Sequence, residues 1–292
     1  MSPPLSTGPD AGSPTGRPSD GAGSPFTRRT PRIVAAARLR RRRERDATGR
    51  FLAEGPQAVR EALSSGAARE VFATAEVGRR HPELLTLAGQ QQVPVSAVTD
   101  DAVAALAETV APQGVVALCR RVDWRLAELV AAPLRLVAVL AEIRDPGNAG
   151  TVLRTADAAG ADAVVFAGAA VDPYNGKCVR ASAGSLFHLP VARADSAAAV
   201  AGLRAAGLRI LAATGGGEAD LDELLDAGGL TTPTAWLFGS EAHGLPADLL
   251  DTADARVRVP IHGRAESLNL GAAAAVCLYA SARALRQREQ LG

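Results

Sequence analysis

The stretch that decides the fold is Asp145-Pro146-Gly147-Asn148-Ala149-Gly150-Thr151-Val152-Leu153-Arg154-Thr155-Ala156. Before it, Leu136-Val137-Ala138-Val139-Leu140 is an unbroken apolar run, the pattern of a strand buried on both faces. After the Pro-Gly-Asn turn, a helix is expected from about Ala149 to Ala159, closed by Gly160 as a C′ glycine. Ala163-Val164-Val165-Phe166 reads as the next strand. Strand, polar turn, helix, strand is the repeating unit of a parallel sheet covered by helices. The alternation continues with strands expected at 189–192, 208–213, 234–238 and 256–260, and a final Ala-rich helix at about 268–287. The expected class is therefore α/β with a mostly parallel sheet.

Towards the N-terminus the signals are shorter. Strands are expected at Phe51–Ala53, Val71–Ala73, Val93–Val95 and Val115–Cys119, with helices at 55–63, 81–88 and 100–106. This is a small α/β module, joined to the larger unit by a linker with a short helix. Residues 1–27 are rich in Pro, Gly, Ser and Thr and are expected to be disordered. Residues 31–45 read as a basic helix with Ile33, Val34 and Leu39 as its apolar contacts. The expected organisation is a tail (1–30), basic arm plus small α/β domain (31–122), linker (123–133) and larger domain (134–292).

Composition narrows the function. The net charge of +1 favours no partner, but residues 28–50 carry ten arginines against Glu44 and Asp46. Clustered arginines give salt-dependent affinity for a polyanion, so Arg38, Arg40, Arg41, Arg42, Arg43 and Arg45 are candidate contacts to the phosphates of a nucleic acid. The alternative is an ordinary solvated face. Aromatic residues are only 3% of the chain, which excludes base stacking as the main source of affinity. Cys119, Cys178 and Cys277 are far apart, and His81, His188, His243 and His262 show no ligand spacing, so no disulfide framework or metal site is expected. Neither a membrane span nor a secretory signal is legible, and a cytoplasmic protein is expected.

Two further segments repeat the design of the first, a strand ending in a polar, glycine-bearing loop. They are Trp236-Leu237-Phe238-Gly239-Ser240-Glu241-Ala242-His243-Gly244-Leu245-Pro246 and Val259-Pro260-Ile261-His262-Gly263-Arg264-Ala265-Glu266-Ser267-Leu268-Asn269-Leu270-Gly271. Ligands of open α/β sheets bind beyond the carboxyl ends of strands, where glycines admit close approach to the backbone. Each segment read alone is also an ordinary connection, and Ser267 is also a candidate cap for the last helix.

Taken in order, NxGxxxRTA at 148–156, FGSE-x-x-GL at 238–245 and VP…SLN at 259–269 resemble the three motifs of SpoU (TrmH-like) RNA 2′-O-ribose methyltransferases of the SPOUT superfamily. The resemblance covers about residues 134–287. Lys177-x-x-Arg180-Ala181-Ser182-Ala183-Gly184 is similar to a segment found between the first two motifs. Residues 47–122 are similar to the substrate-binding module that precedes many members. Val259 departs conservatively from a more usual Ile.

The resemblance implies a trefoil-knotted domain, homodimers with an active site completed across the interface, and S-adenosylmethionine held through Gly239, Val259 and Leu268. It implies methyl transfer to a ribose 2′-hydroxyl of structured RNA, with 23S rRNA the first expectation and transfer RNA the alternative. The catalytic set is Arg154, Asn148, Glu241, Ser267 and Asn269. A guanidinium stays protonated in proteins, so Arg154 is expected to grip phosphate and polarise the hydroxyl rather than act as a base. The proton then passes to phosphate, water or Glu241, while Asn148, Ser267 and Asn269 orient the reactants. Two rival readings are weaker. Leu211–Gly217 could mimic a dinucleotide phosphate loop, but its spacing is not GxGxxG. A non-catalytic RNA-binding or ribosome-assembly protein would have no need of the intact polar set.

Overall fold

The apolar run at 136–140 lies at the centre of an eight-stranded sheet. The structure is a computed structural model and describes residues 24–291. Its first part holds α1 (Pro31–Ala37), α2 (Arg42–Thr48), β1 (Arg50–Glu54), α3 (Pro56–Ser64), β2 (Ala68–Ala73), α4 (Ala75–Arg80), α5 (Pro82–Gln90), β3 (Val95–Ala97), α6 (Asp100–Leu106) and β4 (Val115–Arg120). The second holds β5 (Asp123–Trp124), α7 (Leu126–Val130), β6 (Leu136–Ala141), α8 (Pro146–Ala159), β7 (Ala163–Ala167), α9 (Gly176–Ala181) and β8 (Val191–Ala194). It continues with α10 (Ser196–Ala205), β9 (Arg209–Ala213), β10 (Ala219–Asp220), α11 (Leu221–Asp226), β11 (Thr234–Phe238), α12 (Ala247–Thr252), β12 (Ala255–Arg258) and α13 (Leu270–Leu291).

The large sheet has the order β10-β12-β9-β11-β6-β7-β8-β5, and its strand pairings among the described residues are all parallel. Strands β6, β7 and β11 are buried along their whole length, as expected of strands covered on both faces. Alternate residues of β6 enter different cores. Leu136, Ala138 and Leu140 pack with Val152, Leu153 and Ala156 of α8 and with Ala274, Cys277 and Leu278 of α13. Val137, Val139 and Ala141 pack with Ala199, Val200 and Leu203 of α10 and Leu249 of α12. Each such fully buried leucine or valine stabilises the fold by roughly 1.5–3 kcal/mol. The small sheet has the order β1-β4-β2-β3 and is mixed, with only β2 and β3 running parallel.

The structure corrects the sequence reading in several places. The tail was drawn to residue 30, but Phe26 forms a bridge to Val98 and its N–H donates to Ala97 at 2.8 Å. Residues 1–23 lie outside the described residues. The linker is not free of the sheet, because β5 pairs with β8 as its edge strand. The arm is not one helix: α1 tightens into a 3-10 turn at Arg38–Arg40, and Arg41 is extended before α2. Ile33 and Leu39 are buried as expected, whereas Val34 is exposed.

Arg45 explains the break. Its side chain turns inward and is 3% exposed, with Nε 2.7 Å from Asp172 Oδ2. Its Nη1 donates to the carbonyls of Leu39 and Arg40, each at 2.9 Å. Arg45 is therefore a structural strut and cannot meet RNA phosphate as the sequence reading expected. Around this ion pair the two parts are locked together. Tyr174 OH donates to Asp123 at 3.1 Å and accepts the Val122 N–H at 2.9 Å. The guanidinium carbons of Arg121 and Arg193 lie 5.3 and 5.9 Å from the Tyr174 ring centre.

Candidate active site

The DPGN turn is built by its own side chains. Asp145 caps α8, its Oδ1 accepting the Asn148 N–H at 2.8 Å, and Pro146 takes the first helical position. Asp145 Oδ2 pairs with Lys177 Nζ at 2.7 Å. The hydrogen bond from Lys177, then that from the Asn148 backbone, holds the Asp145 carboxyl below its ordinary pKa. Gly150 is required one turn further on, because a Cβ there would lie 2.5 Å from the Cys178 carbonyl oxygen and 2.6 Å from the Ala181 Cβ. The Lys177–Gly184 segment is thus the surface against which the first motif packs.

The second segment leaves the sheet after Trp236, Leu237 and Phe238, all buried. The Trp236 indole N–H donates to Ser281 Oγ on α13 at 2.9 Å. The loop then folds on itself, with Ser240 and Gly244 exchanging backbone hydrogen bonds of 3.0 and 2.8 Å. Only glycine fits at 239: a Cβ would stand 2.3–2.4 Å from the backbone of Gly244 and Leu245. In the third segment, residues 261–269 form an exposed loop that ends where Asn269 Oδ1 accepts the Ala272 N–H at 2.8 Å. The side-chain bond at the start of the last helix is therefore made by Asn269, not by Ser267.

These loops leave the carboxyl ends of β9, β11 and β12 and enclose one cavity of about 470 Å³. Gly239, Glu241, Val259, Ser267, Leu268 and Asn269 all line it. Phe238, Val257 and Ile261 supply apolar wall, while Ser240 and Glu266 add polar groups. Thr214 and Gly215 also line it and were missed as part of this site. The glycine run at 215–217 is visible in the sequence, where it suggests only a dinucleotide loop.

Asn148 and Arg154 do not line this cavity within the single chain. Helix α8 does abut the third segment: a Cβ on Gly271 would lie 2.8 Å from Thr151 Cγ2 and 3.8 Å from Asn269 Oδ1. Asn148 is half-buried. Arg154 is exposed, has no hydrogen bond or ion pair among the described residues, and faces a separate crevice of about 390 Å³. Of the arm, Arg38, Arg40, Arg41, Arg42 and Arg43 are exposed, and Arg42 pairs with Asp46 at 3.6 Å.

The three cysteines are buried, and desolvation pushes their thiols up, Cys277 to about 12 and Cys119 and Cys178 further. No cluster of metal-ligating side chains occurs among the described residues. No described helix is long and apolar enough to cross a membrane.

With this geometry in view, the comparisons are consistent. Residues 135–279 match the SpoU rRNA Methylase family, and residues 30–117 match an MRM3-like substrate binding domain. The 23S rRNA (guanosine(2553)-2′-O)-methyltransferase RlmP of Bacillus subtilis (strain 168) is 36% identical over 243 residues, covering 83% of this chain and 92% of that protein. The 23S rRNA (uridine(2479)-2′-O)-methyltransferase of Streptomyces viridochromogenes is 34% identical, covering 86% and 88%. The crystal structure of an AdoMet-bound rRNA methyltransferase from Sinorhizobium meliloti superposes with a TM-score of 0.77 at 30% identity, covering 90% of this chain and 98% of that one. Motifs, parallel sheet and sequence identity agree, and the chain belongs to the SpoU rRNA methylase family.

Proposed function

We propose that this protein methylates a ribose 2′-hydroxyl of RNA, taking the methyl group from S-adenosylmethionine, with 23S rRNA as substrate. The observation that carries this reading is the convergence of the loops after β9, β11 and β12 on one cavity. Its volume falls in the range of small-molecule sites, roughly 300–1,000 Å³. Its mixture of apolar wall, backbone polar groups and two carboxylates, Glu241 and Glu266, suits a cofactor with a nucleoside at one end and a sulfonium at the centre. Gly239, Val259 and Leu268 would hold it. When bound, the cofactor supplies an electrophilic methyl group.

The remaining chemistry falls to the chain. Arg154, free of competing partners, is placed to grip the RNA phosphate and polarise the 2′-hydroxyl. Holding the reacting atoms in line contributes roughly 7–11 kcal/mol to such reactions. Asn148, Ser267 and Asn269 orient the reactants by hydrogen bonds. Glu241 is exposed at the cavity mouth and serves as proton acceptor together with phosphate or water.

Because Arg154 stands outside the cavity of its own chain, the active site is completed by a second copy. The outward side chains Val276 and Tyr279 of α13, with Ile261 and Leu268 of the neighbouring loop, are exposed apolar groups that a homodimer would cover. We take the larger unit, 134–292, as the catalytic domain with the family's knotted topology. Residues 31–122 are taken as the RNA-binding domain, whose exposed arm arginines contact phosphate. The protein is placed in the cytoplasm, where its RNA resides.

The test is methyl transfer from labelled S-adenosylmethionine to 23S rRNA from a strain lacking the gene, followed by mapping of 2′-O-methyl groups. A single new ribose methylation is expected, absent with Arg154→Lys, whose point charge lacks the planar fork. Methylation of transfer RNA alone would replace the substrate, and transfer to neither RNA would refute the activity.

A further inference from the structure

Lys177 is the only lysine among the 32 lysines and arginines of the chain. Where every other strong base is arginine, the exception calls for a local reason. Lys177 stands in the first turn of α9, where its N–H donates to Asn175 Oδ1 at 2.9 Å. A cation in the first turn of a helix meets the positive end of the dipole, so α9 itself gains nothing from a lysine there. The side chain instead leaves α9 for the turn that opens α8. Its Nζ lies 2.7 Å from Asp145 Oδ2. Its stem lies against Gly147, where a Cβ would stand 2.8 Å from Lys177 Cε and 3.2 Å from Nζ.

The two oxygens of Asp145 are divided between two partners. Oδ2 takes the ammonium, and Oδ1 takes the Asn148 N–H at 2.8 Å, the bond that starts α8. An ammonium is a point donor that a single oxygen satisfies. A guanidinium is a planar fork suited to holding both oxygens of a carboxylate, and would compete with Asn148 for Oδ1. Helix α9 is a firm base for the lysine. On one side the Cys178 carbonyl packs against Gly150 of α8. On the other, Arg180 Nη1 lies 3.1 Å from Glu54 Oε2 and 3.7 Å from Glu108 Oε2 of the small domain. The side chains of Lys177 and Asp145 are 55% and 41% exposed, and ion pairs so exposed add little to stability. What this pair fixes is geometry.

We propose that Lys177 is a positioning residue for methyl transfer. Its ammonium orients the Asp145 carboxylate and so sets the first turn of α8, to which Asn148 belongs, with Arg154 further along the same helix. The role rests on the ribose-methylation reading, in which both of those side chains serve the reaction. It is exerted through Asp145, and neither Lys177 nor Asp145 lines the cavity assigned to the cofactor. A misplacement of roughly 1 Å among reacting groups can cost about a hundredfold in rate. The loss on removing the ammonium therefore falls on kcat, while RNA and cofactor still bind.

Three variants test it, Lys177→Met, Lys177→Arg and Lys177→Cys. The kcat and the KM for 23S rRNA are measured beside S-adenosylhomocysteine affinity and melting temperature. Lys177→Met is expected to lower kcat about tenfold or more, with RNA KM, cofactor affinity and melting temperature close to wild type. Lys177→Arg is expected to be impaired as well, because its fork draws Oδ1 away from the Asn148 N–H. Alkylating the new thiol of Lys177→Cys with 2-bromoethylamine rebuilds a side chain of lysine length that ends in an amine. The three native thiols are buried, out of reach of the reagent. This treatment should restore kcat to within about threefold of wild type. A kcat within about twofold of wild type in Lys177→Met overturns the assignment, as does full activity of Lys177→Arg. So does a loss that aminoethylation leaves unrepaired, or one that shows as a raised RNA KM or a lowered melting temperature. Failure of the ribose-methylation reading is separate, because it appears in the wild-type enzyme as absence of transfer to any RNA.

Discussion

Removing either half of the Arg45–Asp172 pair should cost far more than a surface ion pair, and removing both should cost less than the two losses added together. The partners are 3% and 2% exposed and 2.7 Å apart. Breaking a buried pair from one side typically costs about 3–5 kcal/mol, because the remaining charge is left uncompensated. The two sides are not equivalent here. In Asp172→Leu, Arg45 keeps the Leu39 and Arg40 carbonyls, so about 3 kcal/mol is expected. In Arg45→Met, Asp172 keeps only the Tyr174 N–H and two carbonyls lose their donor, which points to about 5 kcal/mol. The double variant should recover at least about 2 kcal/mol relative to additivity. Urea unfolding at pH 7, repeated in 1 M salt, measures this, and the effect should survive salt because the pair is buried. A cost below about 1 kcal/mol for Arg45→Met, or strict additivity, would show that the strut is not a buried ion pair in solution.

Three other outcomes follow from the same coordinates. Ser281→Ala strands the buried Trp236 indole N–H and should destabilise by about 1–3 kcal/mol in urea titration, with an altered tryptophan environment. The three thiols should resist a thiol-titrating disulfide reagent in the native protein and all react in urea, since each is buried with its pKa pushed up. Burial lowers the His188 pKa, but the hydrogen bonds that its ring donates to the Asp157 and Glu61 carboxylates outweigh it and raise the value above the ordinary 6.5. Its contribution to stability is therefore full below pH 6.5 and lost as pH rises through the raised value, a loss visible in melting temperatures and absent in His188→Gln.

Strands buried on both faces were legible because apolar runs such as Leu136–Leu140 leave no other reading once turns bound them. The cavity-lining residues Gly239, Val259 and Leu268 were legible only through the motif resemblance, since each is ordinary by type. Helix α4 escaped notice because Gly78, Arg79 and Arg80 break its apolar pattern. Strand β5 escaped because two residues carry no periodicity, and only pairing with β8 makes them a strand. Arg45 stands in a row of arginines identical in type, and what sets it apart is Asp172, 127 residues later. The separation of Arg154 from the cavity lined by Gly239, Val259 and Leu268 was illegible for a different reason. Spacing along a helix says which side chains share a face, but not which cavity that face meets.

The location of S-adenosylhomocysteine in a crystal structure of the protein is the decisive measurement. The ligand is expected between the loops at 213–215, 238–244 and 259–270, with Arg154 of a second copy facing its sulfur. Ligand bound at any other place, or a sulfur that no Arg154 approaches from either copy, would contradict it.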